Sequence, residues 1–467
     1  MADPKLASLL AFVSPSDIVT PESSHYEEQS KTWAVQANKH PLAVVSPRTV
    51  EALSRMIAYA NTTDLDIGIR CTGIGNATSK DVLISLSAFK AFSFDSDKET
   101  ITFGAGHCWG EIDAKLEETA PGYAAVSARC TYVGVGGSIL HGGQSWLSSE
   151  YGLACDPQNL LDVQVIKVDG SILWASGEPD LLWALRGGGG GFGVAIAFKM
   201  RVYKYPSSIF CGQIIYPPAA LKDVARETAA FASRCDDVKM ALHLYCLDMT
   251  AGTYAGREAN PGLAIFAYDA NGPEHGRSGA GFKWALDIPG AVDLTKTLNF
   301  RGVNQQFDAS KAPFGKINTW AAGVTVPSVD EGLILRAWNW YLSLLEADPR
   351  LVMGTYVLTE VMQKAVYQSV GFPSLVSAWP HTANQHNLQL GTGVIPGSPE
   401  SDALAHKALA EAPFEIRPGH TGADYFPNFL EDFVDPTKVF GANWSKLVEI
   451  KKKYDPNNKL GGPFIEE

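Results

Sequence analysis

The sequence predicts an α+β protein of two lobes, and three observations predict it. The chain has 467 residues, more than one ordinary core holds. Up to about residue 206, short strand-like runs alternate with helical patterns and glycine clusters. Beyond that, long helical patterns alternate with longer strands, the texture of an antiparallel sheet covered by helices. The expected divisions are a first lobe at 40–206, a second at 207–422 and a tail at 423–467.

The elements follow in order. Up to residue 40 the chain reads as polar and helical. "PLAVVSPRTVEALSRMIAYANTTDLDIGIR" is strand, helix, strand, with Val50, Leu53, Met56, Ile57 and Ala60 at helical spacing after Ser46-Pro47. "VLISLS", "SFDSDKETITFGAG" and "EIDAKLEETAPGYAAV" follow as strand, hairpin and helix. "LLDVQVIKVDGSILWAS" is a hairpin turning at Asp169-Gly170. "PDLLWALRGGGGGFGVAIAFKMRVYKYP" is a short helix, a glycine loop and a long strand. In the second lobe, "LKDVARETAAFASRCDD" and "EGLILRAWNWYLSLLE" read as helices, and "MALHLYCLD", "LAIFAYDA" and "HNLQLGTGV" as strands. The tail ends in an amphipathic helix and a loop.

Composition excludes several function classes. A net charge of −12 argues against nucleic acid, which needs a basic footprint. No apolar run approaches the roughly 18 residues of a membrane span. The N-terminus "MADPKLASLLAFVSPSD" has no clear signal peptide, so a cytoplasmic protein is expected, or a secreted one whose signal has been removed. Seven cysteines (71, 108, 130, 155, 211, 235 and 246), odd in number and without CxxC spacing, indicate neither a zinc site nor a disulfide framework.

Three glycine clusters concentrate in the first lobe: Gly73-Ile74-Gly75, "VGVGGSILHGG" (133–143) and "GGGGGFG" (187–193). Glycine lets backbone N–H groups approach a ligand and point at phosphate oxygens. "GAGHCWG" (104–110) has the wrong spacing for a Rossmann fingerprint, and no Walker lysine follows any cluster, which disfavours nicotinamide and ATP by their usual routes.

"HPLAVVSPRTVEALSRMIAYA", the loop after Ile69, "ARCTYVGVGGSILHGGQSWLSSEYGLACD", "DLLWALRGGGGGFGV" and "NWSKLVEIKKKYDPNN" occur in this order. Together they resemble the FAD-linked oxidases of the vanillyl-alcohol oxidase type, in the berberine bridge enzyme-like branch with its many fungal members. The resemblance implies a PCMH-type FAD-binding domain over the first lobe, a substrate domain over the second, and a tail that returns to the FAD domain. It also implies a small organic substrate in secondary metabolism, hydride transfer to flavin N5 and reoxidation by O2.

The resemblance assigns the cofactor contacts. Arg70, Cys71, Thr72, Gly73, Ile74, Gly75 and Asn76 are similar to the pyrophosphate loop. Val133, Gly134, Gly136, Gly137 and Ser138, with Gly142 and Gly143, would run along the flavin and its ribityl chain. Tyr151, Gly152, Leu153 and Asp156 resemble the adenine end. Gly193-Val194 resembles a "GxV" step beside the rings, and Asn428 and Phe429 would return onto the flavin.

The sequence also departs from its relatives. Many carry a flavin-bonded histidine where this chain has Ile74, which has no nucleophile, so an 8α-histidyl link is not expected. Cys130 fits the "CxxVGVGG" pattern of a second link at flavin carbon 6. Two states stay open there, a thioether or a free thiol over non-covalent FAD, and the non-covalent state is the expectation. Val133 is small where relatives gate O2, which favours an oxidase.

For the substrate base, relatives end "Y-x-N-Y", but here Tyr425-Phe426-Pro427-Asn428-Phe429 ends in phenylalanine. The candidates become Tyr425, His381 in "WPHTANQHNLQL" and Glu360 in "YVLTEVMQ". His141 reads as packing near the cofactor. The alternatives are a non-redox enzyme on the same fold (cyclisation, cycloaddition or dehydration), an oligosaccharide oxidase, or a binding module. The expected partners are a small molecule and O2, with no nucleic acid and no membrane, and the sequence leaves oligomeric state open.

Overall fold

Runs of valine, isoleucine and leucine broken by turn residues make the first lobe a pair of small sheets. The computed structural model describes residues 3–250, 259–363, 377–380, 382 and 384–465. Strands β1 (Ile18–Val19), β2 (Ala43–Val45), β3 (Ile67–Arg70) and β4 (Val82–Ser85) form a sheet in the order β1-β2-β4-β3. Its β2–β4 and β3–β4 pairs are parallel, and helix Val50–Asn61 makes the crossover. Strands β5 (Phe92–Asp95), β6 (Thr100–Gly104), β8 (Leu160–Ile166), β9 (Ile172–Trp174) and β10 (Val194–Arg201) form an antiparallel sheet in the order β5-β6-β10-β8-β9. A short ribbon pairs β7 (Tyr123–Ala124) with β11 (Tyr203–Lys204).

The second lobe is one antiparallel sheet of seven strands. These are β12 (Ile209–Tyr216), β13 (Met240–Asp248), β14 (Pro261–Asp269), β15 (Val292–Leu298), β16 (Asn318–Val326), β17 (Tyr356–Val361) and β18 (His386–Val394), ordered β15-β12-β14-β13-β17-β18-β16. Helix Glu331–Ala347 buries Leu333, Ile334, Ala337, Trp338, Tyr341, Leu344 and Leu345, the stripe that 3.6 residues per turn produces. Helices Leu221–Arg234 and Pro399–Ile416 complete the cover. The α+β expectation holds.

Register fixes what the other face carries, because directly opposed residues share a face. One row runs Gln213, Phe266, His243, Glu360, Asn387, Thr325 across β12, β14, β13, β17, β18 and β16. The next runs Ile215, Ala264, Tyr245, Leu358, Gln389, Gly323. Trp146 of the first lobe stacks on His243 at 4.2 Å and on Tyr268 at 4.9 Å, so these rows face the first lobe.

One local expectation is corrected. Up to residue 40 the chain is not mainly helical: among the described residues there, only Pro4–Leu10 and Tyr26–Ser30 are α-helix. Prolines interrupt the stretch, and its backbone is tied to the glycine loop instead. Arg70 donates to the carbonyls of Lys31 (3.1 Å) and Gln29, and Asn76 accepts from Ala34 N–H at 2.8 Å. The run after Val133 forms a helix at Val135–Leu140, with Gly136 and Gly137 inside it.

Candidate active site

The loop after β3 leaves backbone amides unpaired among the described residues, an arrangement that could receive an anion. Gly73 has φ +87° and Asn76 φ +57°, which turns the chain sharply. Among the described residues, no acceptor takes the backbone N–H of Thr72, Gly73, Ile74 or Gly75. A Cβ on Gly75 would meet nothing within 4 Å. Four neighbouring free amides with open space before them match a diphosphate. The loop rests on the start of helix Val135–Leu140, where a Cβ on Gly134 would lie 2.6 Å from Cys71 Sγ and 2.7 Å from Thr72 Oγ1. Burial pushes the Cys71 thiol up to about 11, and the thiol donates to the His107 carbonyl at 3.2 Å. The Arg70 side chain is already bonded to the N-terminal segment and is not free to face the loop's open side. Ile74 is half-buried and lines a cleft of about 480 Å³ with Thr72, Cys108, Tyr132, Arg301 and Lys311.

Further along this wall, Gly137 also borders open space. Ser138 is occupied: Trp109 Nε1 donates to its hydroxyl at 2.8 Å, and the hydroxyl donates to the Gly134 carbonyl at 2.9 Å. Val133 is half-buried, and its carbonyl accepts from Trp109 N–H. Gly142 and Gly143, at φ +123° and +75°, accept through their carbonyls from the N–H groups of Cys155 and Ala154. Gly152 fits because a Cβ there would strike Asp156 Oδ2 at 2.4 Å, and that carboxylate accepts from Leu153 N–H at 2.8 Å. Tyr151 stacks on Tyr203 at 3.7 Å. Gly193 and Val194 lead into β10, with Val194 opposite Ile166.

The five-glycine run does a different job from the first loop. A Cβ on Gly189 would lie 2.4 Å from His141 Nε2, and one on Gly191 would lie 2.6 Å from the Gly461 carbonyl. Buried Lys451 ties Gly191 O, Gly461 O and Asp455 together at 2.6–2.7 Å. These glycines allow close packing of the first lobe against the C-terminal segment. His141 bonds to the Gly137 carbonyl at 2.8 Å.

Facing this wall is the polar floor of the large sheet. Glu360 is fully buried. Arg129, the residue before Cys130, grips it: Nη2 donates to Oε1 at 2.7 Å and Nη1 donates to Oε2. Gln144 donates to Oε2 at 2.9 Å. Arg129 also donates to His243 Nε2 at 3.2 Å. A guanidinium cannot accept, so His243 carries its proton on Nδ1 and donates it to the Tyr245 hydroxyl at 3.3 Å. Gln389 donates to the Tyr356 hydroxyl at 3.0 Å. Burial holds the His243 imidazole neutral and raises both phenols above their ordinary range. Burial also pushes up the Cys130 thiol, which lies within hydrogen-bonding reach of Tyr132 and Ser310.

The tail corrects one candidate. Tyr425 forms a bridge with Val324, which puts it on the helix-covered face. Its ring packs on His420 at 5.1 Å, and burial raises its phenol to about 12. It is therefore on the far side of the sheet from Glu360. Phe426 turns the other way, against Gly142 and Trp379. Phe429 lies over Gly323 on the inner face, and Asn428 is exposed in a turn. His381 lies outside the described residues.

Sequence reasoning missed Arg129, Gln144, His243, Tyr245, Tyr356, Gln389 and Asn387. An arginine set directly before Cys130 in a glycine-rich, uncharged run was the available signal for the first.

Residues 41–176 match an FAD binding domain family, and residues 425–460 match a family described as berberine and berberine like. An FAD-linked oxidoreductase of Aspergillus terreus, pgmH, is 24% identical over 456 residues, covering 89% of this chain and 85% of that protein. The (R)-6-hydroxynicotine oxidase of Paenarthrobacter nicotinovorans is 26% identical over 489 residues, covering 98% and 97%. A solved chitooligosaccharide oxidase superposes with a TM-score of 0.80 at 16% identity, covering 99% of both chains, a likeness of fold.

Proposed function

The chain is a berberine bridge enzyme-like member of the FAD-linked oxidoreductases, and from that premise we propose that it oxidises a small organic molecule held between the sheet floor and the wall around Cys130. The observation that carries this reading is the polar cluster of Glu360, Arg129, His243, Tyr245, Tyr356 and Gln389. This cluster lies on the rows of the sheet that face the first lobe.

FAD, when bound, supplies a two-electron acceptor for a substrate hydride and passes the electrons to O2. The free amides from Thr72 to Gly75 would hold its diphosphate, and the 130–138 segment would line its ring. The small side chain of Val133 supports access for O2. The raised thiol of Cys130 and the absence of a nucleophile at Ile74 support non-covalent FAD. Acid denaturation should therefore release the yellow colour from the protein, and colour retained on the chain would instead implicate Cys130.

The floor's own groups orient the substrate. Tyr245 and Tyr356 stay protonated and offer hydroxyls. Glu360 is engaged by Arg129 and Gln144, and His243 by Arg129, so neither is free to take a proton. His381 stays the candidate base. On the family resemblance we place the substrate, an alcohol, an amine or an activated carbon, in fungal secondary metabolism; the relative in Aspergillus terreus is a fungal FAD-linked oxidoreductase.

A second reading, a non-redox step on the same fold, draws on one observation. Among the described residues of the floor, each carboxylate and imidazole already has a cationic partner. Such an enzyme would turn over without air and without bleaching its flavin. The oxidase reading requires bleaching by substrate, and peroxide when air returns.

A further inference from the structure

Asn387 sits in the middle of the polar row, in register between Glu360 of β17 and Thr325 of β16. It is 1% exposed. Its neighbours in the row are satisfied: Glu360 accepts from Arg129 and Gln144, and Thr325 Oγ1 accepts from Asn384 at 2.9 Å. Asn387 differs from them. Its Oδ1 is buried, and no described residue donates to it. Its side-chain nitrogen likewise makes no hydrogen bond among the described residues. Burying a carboxamide without partners is costly, and leucine, with the same branched skeleton, would avoid that cost. Native structures keep few such groups.

We infer that Asn387 reads the substrate, pairing its carboxamide with a neutral substrate group that sets a hydrogen-bond donor beside an acceptor, as in a primary amide, a lactam or an α-hydroxy ketone. The inference rests on the reading above that substrate lies on this floor. A primary carboxamide offers an acceptor and a donor on one edge, so it matches a group offering the reverse. Charge points the same way. Arg129 and Glu360 cancel beside Asn387, so the row holds no spare cation to attract a carboxylate. A site built to hydrogen-bond a substrate group rejects the analogue that lacks it, because its own polar atoms are then left unpaired.

The test uses the FAD-loaded protein with two probes, benzamide and N,N-dimethylbenzamide, which lacks the N–H. Binding is read as perturbation of the flavin absorbance. The wild type should bind benzamide about tenfold or more tighter than the dimethyl analogue, as one satisfied amide pair allows. Asn387→Leu should bind both alike, keep its FAD affinity and melt no lower than the wild type. Asn387→Ala repeats the comparison without the leucine's bulk. Equal binding of the two probes by the wild type, or no binding of benzamide, overturns the inference. So does a lower melting temperature in both variants with selectivity kept, which makes Asn387 structural, or a loss of FAD affinity, which assigns its carboxamide to the cofactor. The parent reading fails separately: a flavin that no candidate substrate bleaches sinks the oxidase, whether or not the probes discriminate.

Discussion

Arg129 reaches across the gap between the lobes and holds Glu360 with two hydrogen bonds, Nη2 to Oε1 at 2.7 Å and Nη1 to Oε2. The residues are 231 positions apart, and their side chains are 14% and 0% exposed. Removing one partner of a buried pair leaves an uncompensated charge and costs about 3–5 kcal/mol. Arg129→Leu and Glu360→Leu should each lower stability by that order. The double variant should recover most of the loss, because no buried charge is left. Denaturant unfolding of the four proteins measures the coupling, and additive losses would contradict it.

A second inter-lobe contact makes stability depend on pH. Asn304 of helix Phe300–Gln305 donates to Asp113 Oδ2, in helix Trp109–Thr119, at 2.9 Å. Asn304 Oδ1 is buried and has no donor among the described residues. Burial raises the Asp113 carboxyl to about 7, against the opposing pull of Asn304 and Arg301. A protonated Asp113 supplies the donor that Oδ1 lacks. The nearby Glu117 is itself paired with Arg301 at 2.7 Å. Because the folded value exceeds the unfolded one, the native state binds more protons between them. This contribution is therefore complete below the ordinary carboxylate range and is lost as pH rises through about 7, by at most about 1.4 kcal/mol per pH unit. Asp113→Asn keeps a donor facing Asn304 and should flatten the fall in melting temperature between mildly acidic and mildly alkaline buffer. An equal fall in the variant would assign the pH dependence elsewhere.

The tail sends adjacent Tyr425 and Phe426 to opposite faces of the sheet. Tyr425→Phe should leave turnover within about twofold of the wild type, since its hydroxyl lies on the helix side. Phe426→Ala removes a buried ring from Gly142 and Trp379 and should cost about 3–5 kcal/mol of stability. Steady-state rates and thermal unfolding on the same preparations separate the two. A large loss of turnover in Tyr425→Phe would return that phenol to the active site.

Period and punctuation made much of the fold legible. The 3.6-residue spacing of Leu53, Met56, Ile57 and Ala60 marks a helix, and Asp169-Gly170 marks a hairpin turn, both at the places where these elements stand. The turn after β3 was legible too, because Gly73, at φ +87°, flags a backbone that must turn, and Gly75 borders open space. The reason for Gly134 was not legible in composition: close contact with Cys71 and Thr72 requires glycine there at the start of a helix. The floor was not legible. Glu360, His243 and Asn387 meet only through strand register, and Arg129 joins them from the other lobe. The tail shows how sharply register matters, since a one-residue step puts Tyr425 and Phe426 on opposite faces.

The most direct test of the account is anaerobic mixing of the FAD-loaded protein with candidate alcohols, amines and carbonyl compounds, followed by admission of air. The account predicts that one class bleaches the flavin absorbance and that air restores it with about one peroxide per turnover. Complete conversion of a substrate without air, with the flavin absorbance unchanged, would contradict it and establish a non-redox reaction on this fold.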